Sequence, residues 1–161
     1  MRSMATIGVY GFDGESFLQR LQRADVCLLL DVRQRRGVRG SQYAWANARR
    51  LQAALAQARI VYEHHPELAP TTALRQLQYA EDARQGVGKR SRRELAAEYT
   101  RHYTTEILDR ADLAALVAGL PSRGLAVLLC VERDPEACHR SLIAQRLSEQ
   151  YHITIKHLFP L

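Results

Sequence analysis

Seven consecutive apolar residues, Leu125 to Val131, constrain this chain more than any other stretch. The run is too short for an ordinary helix and too uniformly apolar for a strand with one wet face, so it reads as a central strand covered on both sides. Asp134-Pro135 follows and predicts a helix start. The residue before a proline avoids helical angles, proline is pre-set for the first helical position, and an Asp side chain can accept the free amide hydrogens of the first turn. Leu142, Ile143 and Leu147 form the inward stripe of that helix, and Cys138 and His139, four residues before Leu142 and Ile143, fall on the same face one turn nearer the sheet. A thiol, an imidazole and the Arg140 guanidinium are therefore expected near a positive helix end, beside Cys130 and Glu132.

The preceding chain alternates strands with helices. Ala5 to Tyr10 reads as a first strand ending at Gly11-Phe12-Asp13-Gly14, and Phe17, Leu18 and Leu21 mark a short helix after it. Val26 to Leu30 is a second central strand, stopping at Asp31-Val32-Arg33. Gln34 to Tyr43 is a basic loop with Arg35, Arg36 and Arg39, followed by an amphipathic helix over Trp45 to Ala58. Ile60-Val61-Tyr62 makes a third strand that runs into Glu63-His64-His65-Pro66, where proline ends the ladder. Thr71 or Thr72 caps a helix that turns Leu74, Leu77 and Tyr79 or Ala80 inward and runs out by Gly86 and Gly88.

Ser91 with Glu94 is a capping-box pattern, which places a helix start within Lys89 to Arg93 and gives that helix an inner face of Leu95, Tyr99, Tyr103 and Ile107. Ala111 to Ala118 is a shorter helix stopped by Gly119. Ile153 to Leu158 closes the chain as an alternating strand, suited to a sheet edge.

Strands separated by helices require crossovers, and crossovers build parallel sheets. The expected fold is α/β: a single three-layer domain spanning residues 1 to 161, with a mostly parallel sheet of about five strands flanked by helices. At 161 residues, 47% hydrophobic and 25% charged, the chain can bury a core without staples. No run is long enough to span a membrane, and no apolar block of a signal peptide follows Met1-Arg2-Ser3-Met4. Three cysteines, an odd number, fit reduced thiols in a cytoplasmic protein.

A parallel sheet brings the carboxyl ends of its strands to one rim, where ligands bind in open sheets. Four pieces of chain deliver polar or reactive groups there: Asp31 and Arg33, His64 and His65, Cys130 and Glu132, and Cys138, His139 and Arg140. The formal charge is +6, and only Lys89 and Lys156 among the 23 basic residues are not arginine, whose fork binds phosphate in paired hydrogen bonds. No phosphate-binding loop of the Walker kind is present, and Gly8, Gly11 and Gly14 have the wrong spacing for a dinucleotide fingerprint.

Asp31-Val32-Arg33 after one strand, and Cys130-x-Glu132 followed by Cys138-His139-Arg140-Ser141 after another, resemble the two signature motifs of the bacterial family catalogued as domain of unknown function 488. Glu67-Leu68-Ala69-Pro70-Thr71 resembles one branch's version of a further segment, and Lys156-His157-Leu158 resembles the family's closing strand. Tyr10-Gly11-Phe12 departs from the His or Ser and Asn that members often carry there. The resemblance implies an α/β fold with the motifs grouped together, and no activity.

Three functions fit this grouping. The first is an enzyme acting on a phosphate-bearing substrate, a nucleotide or nucleic acid, with the helix start after Asp134 and the forks of Arg33 and Arg140 holding an anion. His139, His64 and Tyr43 would complete the binding surface. Asp31 and Glu132 would serve as general acid and base, and Cys130 or Cys138 as nucleophile. A bland alternative pairs Asp31 with Arg140, or Arg33 with Glu132, as structural ties. The second function is a non-catalytic nucleic-acid-binding module using Arg35, Arg36, Arg39 and the Lys89 to Arg93 run, with Tyr43 and Trp45 stacking on bases. The third is a metal or thiol redox centre of Cys130, Cys138, His139 and His64. The two cysteines lie eight apart, outside the usual structural zinc spacing, so no metal ligand is assigned from spacing. The sequence names no cofactor and no oligomeric state.

Overall fold

β4 (Leu125–Leu129) lies at the centre of a parallel sheet in the computed structural model, which describes residues 2 to 161. Its neighbours are β2 (Val26–Asp31) and β1 (Ser3–Ile7), with β3 (Val61–His64) and β5 (Thr154–Leu158) at the edges, giving the order β3-β2-β4-β1-β5. The seven-residue apolar run has this place because its two sides enter two different cores. Ala126, Leu128 and Cys130 face one core and Val127, Leu129 and Val131 the other. The edge strands alternate instead, since one side of each meets solvent.

α1 (Gly14–Arg23) and α2 (Ala48–Gln57) cover one face through Phe17, Leu21, Leu51 and Leu55. The other face is covered by α3 (Thr72–Gln85), α4 (Ala97–Glu106), α5 (Leu113–Ala118) and α6 (Arg140–Tyr151), through Leu74, Tyr99, Leu113 and Ile143 among others. The connections β1 to β2 and β2 to β3 travel towards one edge, and β3 to β4 and β4 to β5 travel back. Crossovers of one hand must then use opposite faces, which is what the two helix layers show. Neighbouring strands β2 and β4 therefore send their chains away in opposite directions, opening a crevice between their carboxyl ends.

Local chemistry accounts for most element ends. Asp13 and Ser16 form a reciprocal cap on α1, Thr71 accepts from the Leu74 amide to start α3, and Gly86 ends α3 at a positive φ of 71°. Three expected starts are displaced. Trp45 lies in a 3₁₀ turn (Ser41–Ala46) packed on Phe17, and extended Asn47 separates it from α2. The Ser91 capping box does not form: Ser91 closes a turn with Gly88, and α4 begins only at Ala97. Asp134-Pro135 starts a 3₁₀ turn rather than a helix, Cys138 is extended, and α6 begins at Arg140. On α3, Tyr79 and Ala80 point outward, and polar Gln78 and Asp82 are the buried pair below Leu74. No helix among the described residues is long and apolar enough to cross a membrane.

Candidate active site

Asp31 pairs in register with Leu129, so the tips following β2 and β4 are neighbours and their side chains meet in the crevice. β1 closes the third side. Gly8 passes so near the β4 tip that a Cβ there would stand 1.8 Å from the Glu132 carbonyl oxygen, and the Val9 and Tyr10 amides both donate to Val131 O. A side chain at position 8 would drive the Glu132 turn out of place.

Arg33 and Arg140, expected to grip an anion, are committed to the protein itself. Arg33, 1% exposed, donates from Nε and Nη2 to the two Asp31 carboxylate oxygens at 2.9 and 2.8 Å, and from Nη1 to Ala46 O. Asp31, expected as acid or base, also accepts from Tyr62 Oη and the Arg33 amide. Arg140, fully buried, donates to Glu132 O at 2.7 Å, Arg133 O at 3.1 Å and Thr6 Oγ1 at 3.2 Å. It clamps the turn after β4. Neither fork pairs with the acid suggested by sequence: Arg33 holds Asp31, and Arg140 holds carbonyls.

The Glu132 carboxylate is tied instead by a residue of the basic run that the sequence suggested as a helix start or a nucleic-acid contact. Arg92 donates to Glu132 Oε1 at 2.7 Å, to Asp82 Oδ2 at 2.6 Å and to Ala137 O at 3.1 Å. Gln78 completes the network by donating to Asp82 Oδ1 and accepting from the Ala96 amide. A signal was present in the sequence: Leu74, Gln78 and Asp82 continue one helical stripe at four-residue spacing, which turns an amide and an acid towards the core.

Cys130, Cys138 and His139 form the innermost group, all buried, with their two Sγ atoms and His139 Nδ1 within 4.8 Å of one another. His139 Nε2 lies 2.8 Å from Val32 O; a carbonyl only accepts, so Nε2 carries the hydrogen and Nδ1 faces the sulfurs at 3.6 and 3.8 Å. The Arg140 amide donates to Cys138 Sγ at 3.5 Å, and Cys130 Sγ lies 3.4 Å from Glu132 Oε2. Burial raises both thiols. For Cys138 the adjoining Cys130 thiol and the charges of His139 and Arg140 outweigh burial and bring it well below the ordinary thiol value, while Cys130 is pushed well above it. Burial and the neighbouring Cys138 raise the Glu132 carboxyl. Burial lowers His139, and Cys138 overcomes it, so the net direction is up.

This group lines a narrow inner cleft with about 40 Å³ of free space. The cleft adjoins a vestibule of about 590 Å³, and the two share Arg35, Arg75, Tyr79, Lys89 and Val131 as walls. Arg39 and Arg90 add two more cations to the vestibule, and no acidic side chain among the described residues lines it. Of the three basic residues that line both spaces, Arg75 and Lys89 are half-buried and Arg35 is exposed. Burial works against the charge of Lys89, but the Glu132 and Cys130 charges outweigh burial and raise its pKa. Tyr43 stands behind the vestibule wall, its hydroxyl accepting from the Gly11 amide and its ring, with Tyr10, under the Arg90 guanidinium. His64 donates to Arg33 O at 3.1 Å and does not join the cysteine group.

The profile of a domain of unknown function, DUF488, matches residues 13–147. The chain belongs to the DUF488 family. The matched stretch contains Asp31, Arg33, Lys89, Arg92, Cys130, Glu132, Cys138, His139 and Arg140, so the cleft of this DUF488 domain lies within it. Strands β1 and β5 lie outside, including Thr6 and His157, which are hydrogen-bonded to each other at 2.7 Å beside Arg140. No curated protein and no solved structure matches the chain.

Proposed function

We propose that this DUF488 protein is a cytosolic enzyme acting on a phosphate-bearing substrate, a nucleotide or a nucleic acid, at the carboxyl-end rim of its sheet. The observation that carries the reading is the acid-free vestibule of Arg35, Arg39, Arg75, Lys89 and Arg90, continuous with a cleft of reactive groups. Guanidinium forks bind phosphate oxygens in pairs, and a half-buried lysine acts in a medium where charge is screened less than in water. The inner cleft has room for roughly one or a few water molecules. A substrate's body therefore stays in the vestibule, and only a reacting end reaches Glu132, Cys138 and His139, side chains of the kinds that exchange protons or attack. Three free cysteines fit a reducing compartment.

The same basic walls would serve a nucleic-acid-binding module without chemistry. Reactive groups buried in a narrow cleft, rather than spread across an open surface, favour the enzyme. Titration calorimetry with nucleoside mono-, di- and triphosphates, sugar phosphates and short oligonucleotides tests the binding half. Lys89→Ala and Arg75→Ala weaken the best ligand at least about tenfold if the vestibule holds its phosphate, a charge-assisted contact contributing about 1.5–3 kcal/mol. Product analysis of the same ligands tests the chemistry. Binding without turnover leaves the module reading standing, and absence of binding by any of them overturns both.

A further inference from the structure

We propose that Cys130 Sγ, Cys138 Sγ and His139 Nδ1 form a binding site for a divalent cation of the zinc type, with the remaining coordination position open to the cleft. The inference stands on donor geometry and does not need the phosphate reading.

The two sulfur-to-nitrogen distances suit the ion. Zinc with sulfur at about 2.3 Å and nitrogen at about 2.0–2.1 Å in a tetrahedron sets each S···N edge at roughly 3.6 Å. The observed S···N separations are 3.6 Å for Cys130 and 3.8 Å for Cys138. Folding assembles the set, since Cys130 follows β4 while Cys138 and His139 precede α6. Sequence spacing hides it: the two cysteines lie eight residues apart and the histidine adjoins one of them.

The surroundings are those of a ligand set. His139 Nε2–H is anchored on Val32 O at 2.8 Å, which fixes the tautomer and aims the Nδ1 lone pair at the sulfurs. Metal-bound histidines are held in this way by a carbonyl or carboxylate on the far nitrogen. The Arg140 amide donates to Cys138 Sγ, a contact that a metal thiolate retains. Two thiols and an imidazole are soft to borderline donors, which select zinc-like ions over magnesium or calcium. On binding, the cation takes the place of the protons held among the two sulfurs and His139 Nδ1, which leave to solvent.

No fourth Cys, His, Asp or Glu among the described residues completes the set. Structural zinc sites have four protein ligands; three with an accessible fourth position is the catalytic arrangement. All three residues line the inner cleft, so the open position faces the path from the vestibule. Glu132 lies beside Cys130 but is tied by Arg92, which keeps its carboxylate next to the site rather than in the ligand set.

The test uses the full chain, reduced with a phosphine and freed of metal by a chelator, then titrated with Co²⁺ in the absence of any phosphate ligand. One equivalent should produce tetrahedral cobalt bands with intense thiolate-to-metal charge transfer, and Zn²⁺ should abolish them. X-ray absorption of the zinc-loaded wild type should count two sulfurs, which needs no variant to fold. Cys138→Ser and His139→Asn should weaken binding at least about tenfold, while Cys27→Ser, distant from the group, should not. A reduced wild type that gives no thiolate–cobalt absorption, or a shell of oxygen and nitrogen only, overturns the site whatever the phosphate titrations show.

Discussion

Arg92 donates to Glu132 across 2.7 Å, joining the loop after α3 to the tip of β4. Three consequences follow from one guanidinium: the Glu132 carboxylate is held at the cleft, Asp82 is paired beneath it, and the turn carrying Ala137 is tied to the segment before α4.

Replacing Arg92 by Met leaves two buried carboxylates without their cation. Breaking a buried pair costs about 3–5 kcal/mol, so the midpoint of urea unfolding should fall steeply. Arg92→Lys should recover little, because an ammonium cannot present three forked donors to Asp82, Glu132 and Ala137 O at once. Equal midpoints for wild type and Arg92→Met would refute the account.

Arg33 and Asp31 supply a contrasting case. Arg33→Met should lower stability by about 3–5 kcal/mol yet leave phosphate binding by the surviving folded protein unchanged, since its donors all meet Asp31 and Ala46. The double change with Asp31→Asn should be less costly than Arg33→Met alone, because no charge is then left unpaired. A selective loss of anion affinity in Arg33→Met would show that the fork reaches the ligand.

Gly8→Ala places a methyl group 1.8 Å from Glu132 O and 2.7 Å from its carbonyl carbon, both backbone atoms that cannot rotate aside. Overpacking costs about 1–3 kcal/mol or more, and Tm should drop accordingly. Gly88→Ala is the control: nothing lies within 4 Å of a Cβ there, so Tm should change little.

His65 reports on pH. Its ring lies 3.0 Å from Glu63 and 2.6 Å from Glu67; burial alone would lower its pKa, but the two carboxylates outweigh burial and raise it above the ordinary 6.5. A folded value above the unfolded one means that the stabilising contribution is complete below pH 6.5 and is lost as pH rises through the folded value. The stability difference between wild type and His65→Gln should therefore shrink as pH is raised through that window. A difference that stays constant or grows would contradict the sign.

The sheet was legible because strand burial is written locally. Val26 to Leu30 and Leu125 to Val131 are apolar on both sides, and only strands between two helix layers have that need. The neighbourhood of Asp31, Cys130 and Glu132 followed from the sheet, since parallel strands end together. The start of α6 was not legible. Asp134-Pro135 has good helix-start chemistry, but Leu95 N–H donates to Glu136 O and Arg92 to Ala137 O, and these contacts from a distant segment hold the turn short of a helix.

By itself the sequence determined an α/β sheet, the rim where its polar residues gather, and the residue types found there. Only the tertiary structure decided which charge meets which: that Arg33 and Arg140 are enclosed, that Arg92 rather than either of them holds the Glu132 carboxylate, and that Lys89 with Arg75 faces the vestibule. Apolar periodicity is a property of neighbouring residues, whereas the pairing of a buried guanidinium depends on which distant carboxylates and carbonyls come within reach of a long side chain after the chain has packed.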